Sequence, residues 1–258
     1  SRALDPHLHT HCVAFNATFD PVEGRWKALQ TAGMYRAQKF AENIYYHELC
    51  RGLRALGYQT ENNSRDFEIK GVPAPMIARF SKRHDQIEAE AQRHVAQGFD
   101  GNLGELRTRI AHEKRPRKLK NAAADGLRTY WLDQLTPAER HALDGLRIEA
   151  ARQTEAIDVR AALTWADEHL FARKSVINDW ELKAVALARG RGGEFDLAAL
   201  EQTIAERDYF HPGDEAHRLA TRETVGLEGE IVRAIQSGMN CFFPFRDDYA
   251  PDPGLMPG

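Results

Sequence analysis

The chain has 258 residues, of which 42% are hydrophobic and 28% charged, and its formal net charge is −3. This length is sufficient for one large domain or two small ones, each with a buried core. The nearly balanced charge excludes a globally basic protein, so any contact with nucleic acid has to come from local patches. Three scattered cysteines without a CxxC pair favour free thiols, and no apolar run approaches the roughly 20 residues of a membrane span. We therefore expect a soluble, cytoplasmic protein.

Strand patterns and long helical patterns alternate in the first hundred residues. Residues 8–19 read as a strand that pairs with a second strand in FDPVEGRWKALQ, and residues 34–56 read as an amphipathic helix that ends at a glycine. A second hairpin surrounds the polar turn NNSR in residues 58–70, and another helix is predicted from about residue 74 to residue 98. This order predicts an α+β fold class, an antiparallel sheet with packed helices.

Beyond residue 98 the pattern is mostly helical. Helices are predicted over residues 103–120 and 127–135, and a further one begins at Pro137 with Thr136 as its cap. Residues 151–238 contain three helices, the short extended pieces DYFHP and HRLAT, and a last helix. Three helices and a small hairpin are the outline of a winged-helix module, although many small helical bundles share it.

These patterns predict four segments along the chain. Residues 1–98 form the α+β core, and residues 99–150 form a basic helical connector. Residues 151–238 form the winged-helix-like region, and residues 239–258 form a tail or linker that is rich in proline and glycine. The sequence begins without methionine and runs at once into a motif, which we interpret as a piece of a longer polypeptide.

Residues 5–16, DPHLHTHCVAFN, place three histidines on alternate positions. In a strand, positions i and i+2 face the same side, about 6.5 Å apart, so His9 and His11 can direct their imidazoles at one metal ion. His7 lies one step further along the same face, and three such residues rarely converge on one ion. A working site needs at least one more protein ligand and an open position. The alternative is a solvated strand face that binds no metal.

The stretch SRALDPHLHTHCVAFNATFDPVEGRWKALQ resembles the signature of the MobF-class conjugative relaxases of the TrwC and TraI type. Further blocks occur in the order of that family: a long helix that ends in LRALGY, then FEIKGVP, then RFSKRHDQIEA. The resemblance covers most of the first 120 residues. It weakens in HLFARKSVINDWELKAVAL and HRLATRETVGLEGEIVRAI, which look like the region that joins a relaxase domain to a helicase.

The resemblance implies a nicking enzyme of the HUH endonuclease type. In that family a divalent metal (Mg, Mn or Zn) held by three histidines polarises a phosphate of single-stranded DNA while a tyrosine attacks it. His9 and His11 match two of the three ligands, whereas His7 stands where the family has Gln or Asn. The third ligand and the catalytic tyrosines belong upstream of Ser1, so the resemblance supplies no catalytic residue in this chain and we expect no DNA cleavage by it alone.

The sequence offers one other candidate for the nucleophile and one other enzyme class for the histidines. Tyr45 and Tyr46 form a tyrosine pair, but they lie in the middle of an amphipathic helix, which favours packing. The LHTH stretch also opens the PHP-type metal phosphoesterases, which need further ligands at the ends of later strands. In this chain the other histidines are scattered through predicted helices, which disfavours that class.

Basic and aromatic residues are the candidates for contacts with DNA. Residues 107–120 carry seven Lys/Arg against one acidic residue, and such a cluster can neutralise several phosphates or simply form a solvated connector. The positions selected are Arg25, Trp26, Lys82, Arg83, Lys114, Arg115, Arg117 and Lys118. Trp165 and Trp180 lie in apolar helical patterns and are expected in a core. A P-loop motif is absent, so ATP hydrolysis is not expected.

The sequence therefore indicates part of a conjugative relaxase whose parent nicks one strand at an origin of transfer. The expected partners are single-stranded DNA at that origin and, through the full-length protein, the conjugative secretion machinery, with no membrane contact. A second hypothesis is a non-catalytic module that binds single-stranded DNA or another protein. Binding of DNA without metal dependence would favour that second hypothesis.

Overall fold

The computed structural model describes residues 4–6, 9–113, 124–147, 157–213, 217–239 and 241. Contacts divide the chain into two units, a first unit of Ser1–Gly33 with Leu49–Glu155 and a second unit of Met34–Glu48 with Ala156–Gly258. The division does not follow chain order, because residues 34–48 pack with the second half of the chain. The four segments predicted from the sequence follow one another in chain order. Their division into core, basic connector, winged-helix-like region and tail stays a prediction.

Short antiparallel hairpins supply the strands of the first unit. Strands β1 (Thr18–Asp20) and β2 (Arg25–Lys27) form one two-stranded sheet, and β3 (Thr60–Asn62) and β4 (Phe67–Ile69) form another. Both predicted hairpins are confirmed. Gly24 closes the first of them with a φ of +63°, a left-handed conformation that favours glycine. Together with the helices, these sheets confirm the α+β fold class.

The strand predicted from residue 8 is shorter than expected. Residues 9–17 are exposed and carry no strand, and regular pairing begins only at Thr18. A strand is stable when a neighbour satisfies its backbone N–H and C=O groups. Within the described residues β1 pairs with β2 over three residue pairs only, so the segment that carries the histidines has no neighbouring strand.

Helices follow each hairpin, mostly where the periodicity predicts them. The predicted helix over residues 34–56 is present as α1 (Ala32–Arg36) and α2 (Gln38–Ala55), and the latter ends before Gly57, whose φ is +91°. The helix predicted over residues 74–98 is divided into α3 (Ala74–Arg79) and α4 (Lys82–Ala96). The break lies at Ser81, whose hydroxyl donates to the Ile77 carbonyl and so competes with the helical ladder.

Three more helices complete the described part of the first unit: α5 (Leu103–Glu113), α6 (Ala124–Asp133) and α7 (Pro137–Asp144). Helices α4 and α5 pack through a small cluster of Ala91, Leu106 and Ile110. Helix α7 begins with the predicted cap, in which the Thr136 hydroxyl accepts the Glu139 N–H and the Glu139 carboxylate accepts the Thr136 N–H.

The second unit has the element order of a winged helix. Helix α8 (Val159–Phe171) is followed by β5 (Ile177–Asn178), α9 (Asp179–Arg189), α10 (Leu197–Ala205), β6 (Tyr209–Phe210) and β7 (Arg218–Thr221). The three strands form one antiparallel sheet in the order β5-β7-β6. The predicted three helices and hairpin are confirmed. Strand β5 was not predicted, because two residues are too few to show a period.

A single apolar core supports this second unit. Its buried residues come from α8, α9, α10, β5, β7 and the turn between α9 and α10, and Phe40 and Ile44 of α2 pack against them. The core residues are Ala162, Leu163, Ala166, Ile177, Leu182, Ala186, Leu187, Phe195, Leu200, Ile204 and Leu219. The last helix, α11 (Arg222–Gly238), follows β7 directly and is capped by the Thr221 hydroxyl.

His47 joins the α2 part of this unit to the turn between α9 and α10. It is fully buried, its Nδ1 accepts the Gly192 N–H, and its Nε2 donates to the Phe195 carbonyl at 2.6 Å. Arg191 in the same turn donates to the Asn43 side chain. These bonds explain why residues 34–48 belong to the second unit.

No helix among the described residues is long and apolar enough to cross a membrane.

Candidate metal and DNA site

The histidine pair is assembled although its segment is not a strand. Both His9 and His11 are exposed, and their Nε2 atoms lie 3.2 Å apart with the rings edge to face. Two nitrogen ligands of one divalent ion, each about 2.1 Å from it, lie roughly 3.0–3.4 Å apart. The pair therefore fits two adjacent ligands of a single ion, and a hydrogen bond between the two rings accounts for the same distance in the absence of an ion.

The rest of a metal site is not found in the part of the chain that the structure describes. Among those residues no group of three or more His, Cys, Asp or Glu is arranged to hold a metal ion. His7, the third histidine of the stretch, lies outside the described residues. The described residues thus offer two ligands from one short segment, which is half of a tetrahedral site or a third of an octahedral one.

The segment just before the histidines is held by the helices of the first unit. Asp5 is buried and forms an ion pair with the ammonium group of Lys82, at 3.3 Å. The Leu4 carbonyl accepts a hydrogen bond from the Trp131 indole of α6. The sequence did not predict Asp5 or Trp131 as supports, because the partners Asp5 and Lys82 lie 77 positions apart and Leu4 and Trp131 lie 127 positions apart, too far to show a common period. The Asp-Pro pair before the histidines was the available signal.

The candidate DNA contacts on β2 are accessible. Trp26 is 70% exposed and contacts Phe19 edge to face across the hairpin. Arg25 forms an ion pair with Glu23. Next to them, Lys27 donates to Asp20 and Glu23 and holds the pKa of both carboxyl groups below their usual values. The hairpin therefore presents an indole beside a cation, an arrangement that can stack on a base and contact a phosphate.

The other basic candidates have intramolecular partners or lie outside the described residues. Lys82 pairs with Asp5, and the Arg83 guanidinium donates to the Ala111 carbonyl near the end of α5. Both contacts stabilise the helices of the first unit, so these two residues have structural roles whatever else they bind. The remaining four candidates lie outside the described residues: Lys114, Arg115, Arg117 and Lys118.

The tyrosine pair lies on α2, with ring centroids 5.7 Å apart. Tyr46 is half-buried beneath the guanidinium of Arg191, which is 5.6 Å from the ring centroid, and Tyr45 is 37% exposed. The position of Tyr46 fits the packing role that the amphipathic pattern predicts, whereas Tyr45 is exposed. Trp165, expected in a core, is 38% exposed and stacks on His169.

Comparison with known proteins decides the family. The TrwC relaxase family model matches residues 1–138, more than half of the chain. The chain belongs to the TrwC relaxase family. The resemblance seen in the sequence is confirmed. The PHP-type alternative is wrong, and the described strands agree with this because all of their pairings are antiparallel.

Two multifunctional conjugation proteins TraI are among the relatives of this family member. The TraI of Escherichia coli is 36% identical over 99 residues, which cover 34% of this chain and 5% of TraI. The TraI of Escherichia coli strain K12 is 33% identical over 99 residues, which cover the same shares of the two chains. The aligned part therefore spans about a twentieth of these relatives. A solved structure, the metal-free conjugative relaxase TrwC in complex with OriT DNA, shares 29% identity with a TM-score of 0.44, covering 57% of this chain and 50% of TrwC.

Proposed function

We propose that this chain is part of a conjugative relaxase and contributes two ligands to its metal centre and a hairpin to its DNA-binding surface. The relatives are conjugation proteins, and TrwC was solved with OriT DNA. The observation that carries the proposal is the approach of His9 and His11 to 3.2 Å between their Nε2 atoms, within the segment that the family model covers.

The proposal gives the two histidines the role of metal ligands and gives the residues before them the role of supports. His9 and His11 would hold a divalent ion, and that ion would supply Lewis-acid polarisation of a phosphate of the DNA. The two imidazoles would bind it through ring nitrogens that carry no proton. Asp5, through Lys82, and Leu4, through Trp131, fix the segment and keep the pair oriented.

The DNA contact is assigned to the first hairpin. Trp26 stacks on an unpaired base, and Arg25 neutralises a phosphate next to it. Tyr45 and Tyr46 are not proposed as nucleophiles, because both belong to a helix that packs in the second unit. Nicking at an origin of transfer, transport by a secretion machinery and work in the cytoplasm are proposed for the longer protein.

Calorimetric titration with Mn²⁺ and with Zn²⁺ tests the metal assignment. The matched control for the double variant His9→Ala/His11→Ala is His84→Ala/His94→Ala, which removes two histidines of α4. We expect the first variant to lose at least tenfold in affinity and the control to retain it. Equal affinity of both variants would show that these histidines are not ligands.

Fluorescence anisotropy with a labelled single-stranded oligonucleotide tests the DNA assignment. Arg25→Ala/Trp26→Ala is compared with Arg93→Ala, which removes an exposed arginine of α4. We expect several-fold weaker binding and a smaller salt dependence for the hairpin variant only. Binding that is unchanged by the hairpin variant excludes the hairpin. Binding that is the same with and without metal favours the alternative of a non-catalytic single-stranded-DNA module.

A further inference from the structure

Helix α10 holds the position of a DNA-reading helix without the side chains for that role. Helices α9 and α10 follow one another in the order of a helix-turn-helix, and the second helix of that motif enters the major groove of DNA. The exposed side chains of α10 and its C-cap are Ala198, Glu201, Gln202, Ala205 and Glu206, and none of the five is basic. Carboxylates that face a duplex repel its phosphates. Helix α10 is therefore unsuited to bind DNA in this way.

Several exposed cations of the second unit are neutralised by carboxylates of the same unit. The Arg160 guanidinium lies 2.8 Å from the Glu206 carboxylate, and the Arg222 guanidinium lies 3.0 Å from the Asp208 carboxylate. Both carboxylates follow α10 directly in the chain. The positive charge near the end of that helix is therefore already compensated.

Two arginines beside α8 differ from these pairs. Arg173 and Arg189 are exposed, and within the described ranges neither guanidinium forms an ion pair with a carboxylate. Arg189 ends α9, and its guanidinium lies 5.1 Å from the ring centroid of Trp165 on α8. Arg173 lies in the turn after α8, where its N–H donates to the Leu170 carbonyl. Two positive charges therefore remain uncompensated beside this helix.

The rings of Trp165 and His169 form a stack next to the two arginines. The two residues are one helical turn apart, their ring centroids are 4.8 Å apart, and their planes are 9° from parallel. Both side chains are accessible, Trp165 at 38%. Residues four positions apart lie on one side of a helix, so Arg173 follows His169 as His169 follows Trp165. We name Trp165, His169, Arg173 and Arg189 the α8 row.

One exposed carboxylate accompanies the α8 row. Glu168 precedes His169 in the chain. At 100° per residue its side chain starts about 60° from that of Trp165, on the side away from His169 and Arg173. The α8 row therefore combines two stacked rings with two cations, and this acidic neighbour on α8 lies at one edge of it.

We propose that the α8 row binds single-stranded nucleic acid, as a contact separate from the first hairpin. Exposed rings stack on unpaired bases of any sequence, and arginine contributes a charge for the phosphates and a planar group for stacking. A duplex offers phosphates but keeps its bases paired, and an acidic peptide offers carboxylates without bases. The combination of stacked rings and uncompensated arginines therefore fits a polyanion with free bases.

Fluorescence anisotropy with a labelled oligothymidine tests the charged part of the α8 row. All proteins carry Arg25→Ala/Trp26→Ala, so that the first hairpin does not contribute. We expect this background to bind the oligonucleotide measurably, and Arg173→Ala/Arg189→Ala to weaken its binding at least tenfold. We also expect the slope of log affinity against log salt concentration to fall in magnitude by about 1.4, because two phosphate contacts are lost.

The matched control is Arg160→Ala/Arg222→Ala in the same background, because it removes the same charge from the same unit. We expect it to retain its affinity within about threefold, since each of these arginines is already paired. Equal losses in the two variants, or no measurable binding by the background, would overturn the proposal. If only the assignment of the first hairpin is wrong, the background binds as tightly as the wild type and the loss at Arg173 and Arg189 is still seen.

Fluorine NMR of the chain labelled with 5-fluorotryptophan tests the stacked part of the α8 row. The signals are assigned with the variants Trp165→Phe and Trp180→Phe. We expect the oligothymidine to shift the Trp165 signal, whereas the signal of Trp180, which is half-buried in α9, stays unchanged. A Trp165 signal that does not move would overturn the proposal. An equal shift with a duplex or with polyglutamate would also overturn it, since the α8 row would then recognise charge alone.

Discussion

The second unit and the histidine segment with its hairpin, residues 9–33, use their apolar residues in opposite ways. In the second unit Leu163, Leu182 and Leu187 are fully buried in one core. In residues 9–33 most apolar side chains are exposed, for example Phe15 at 82% and Val22 at 93%. Both regions contain strands and aromatic residues. The difference shows that apolar content by itself does not produce a core.

The cause of the difference lies in the partners that each region has. The three helices of the second unit bury one another's apolar faces and cover a three-stranded sheet. The first hairpin has one neighbour per strand, and its cross-strand contacts are the Phe19–Trp26 ring pair and the ion pairs of Lys27. A single two-stranded hairpin is marginally stable in water. The region that carries the candidate site is therefore the one with the smaller internal stability.

The largest effect is expected in the core of the second unit. Leu187→Ala removes a fully buried side chain of α9 and leaves a cavity. We expect it to lower the free energy of unfolding by about 2–5 kcal/mol. Equilibrium urea unfolding followed by circular dichroism measures the change. The matched control is Leu56→Ala, at a leucine that is 56% exposed, for which a loss below about 0.5 kcal/mol is expected. Similar losses for both would show that burial in the core of the second unit does not decide the loss of stability.

The second largest loss of stability is expected when the buried hydrogen bonds of His47 in the second unit are removed. His47→Leu leaves the Gly192 N–H and the Phe195 carbonyl without their buried partner. Unsatisfied buried groups cost about 1–3 kcal/mol each, so a loss of about 2–4 kcal/mol is expected. His84→Ala, at an exposed histidine of α4, is the control. If urea unfolding shows the same stability for His47→Leu and the wild-type chain, these two bonds do not hold residues 34–48 in the second unit.

A third prediction concerns how the ion pair of Arg79 and Glu139 makes the stability of the first unit depend on pH. The Arg79 guanidinium makes two hydrogen bonds to the Glu139 carboxylate and, with Thr136, lowers its pKa from 4.5 to about 2. Because the folded pKa is depressed, the stabilisation is present above about pH 4.5 and is lost as pH falls towards 2. Glu139→Gln is therefore expected to be less stable than wild type at pH 6 and nearly equal to it at pH 2.

Urea unfolding at pH 6, 4, 3 and 2 gives the difference between the two proteins. The control is Asp66→Asn, which changes a carboxylate of the β3–β4 turn that accepts a hydrogen bond from the Asn63 amide. A difference between Glu139→Gln and wild type that stays constant over this range would exclude the Arg79 pair as the source of the pH dependence.

The smallest effect is expected in the histidine region itself. Val22→Ser replaces a side chain that is 93% exposed at the tip of the first hairpin. Exposed positions of this kind usually change stability by less than about 0.5 kcal/mol. Urea unfolding of the variant measures the change in the free energy of unfolding. The comparison is Val185→Ser, at a half-buried valine of α9. A loss above 1 kcal/mol at Val22 would show that the hairpin tip is covered in solution.

Local sequence patterns were sufficient for much of the fold. Both hairpins, the Thr136 cap of α7 and the three helices α8, α9 and α10 of the second unit follow from turn residues, caps and a period of 3.6. The division between α3 and α4 was not predicted, since the apolar period continues through Ser81 while a side-chain hydrogen bond interrupts the ladder. The strand at residues 9–17 was predicted wrongly because alternation indicates a strand whether or not a partner is present.

The sequence by itself determined the family, the α+β class and the identity of His9 and His11 as a candidate ligand pair. The tertiary structure alone decided that their Nε2 atoms approach to 3.2 Å, that Asp5 and Trp131 hold the segment before them, and that residues 34–48 join the second unit. The physical reason is distance along the chain. His47 bonds to a carbonyl 148 residues away, and a local period of two or 3.6 residues carries no information about such a partner.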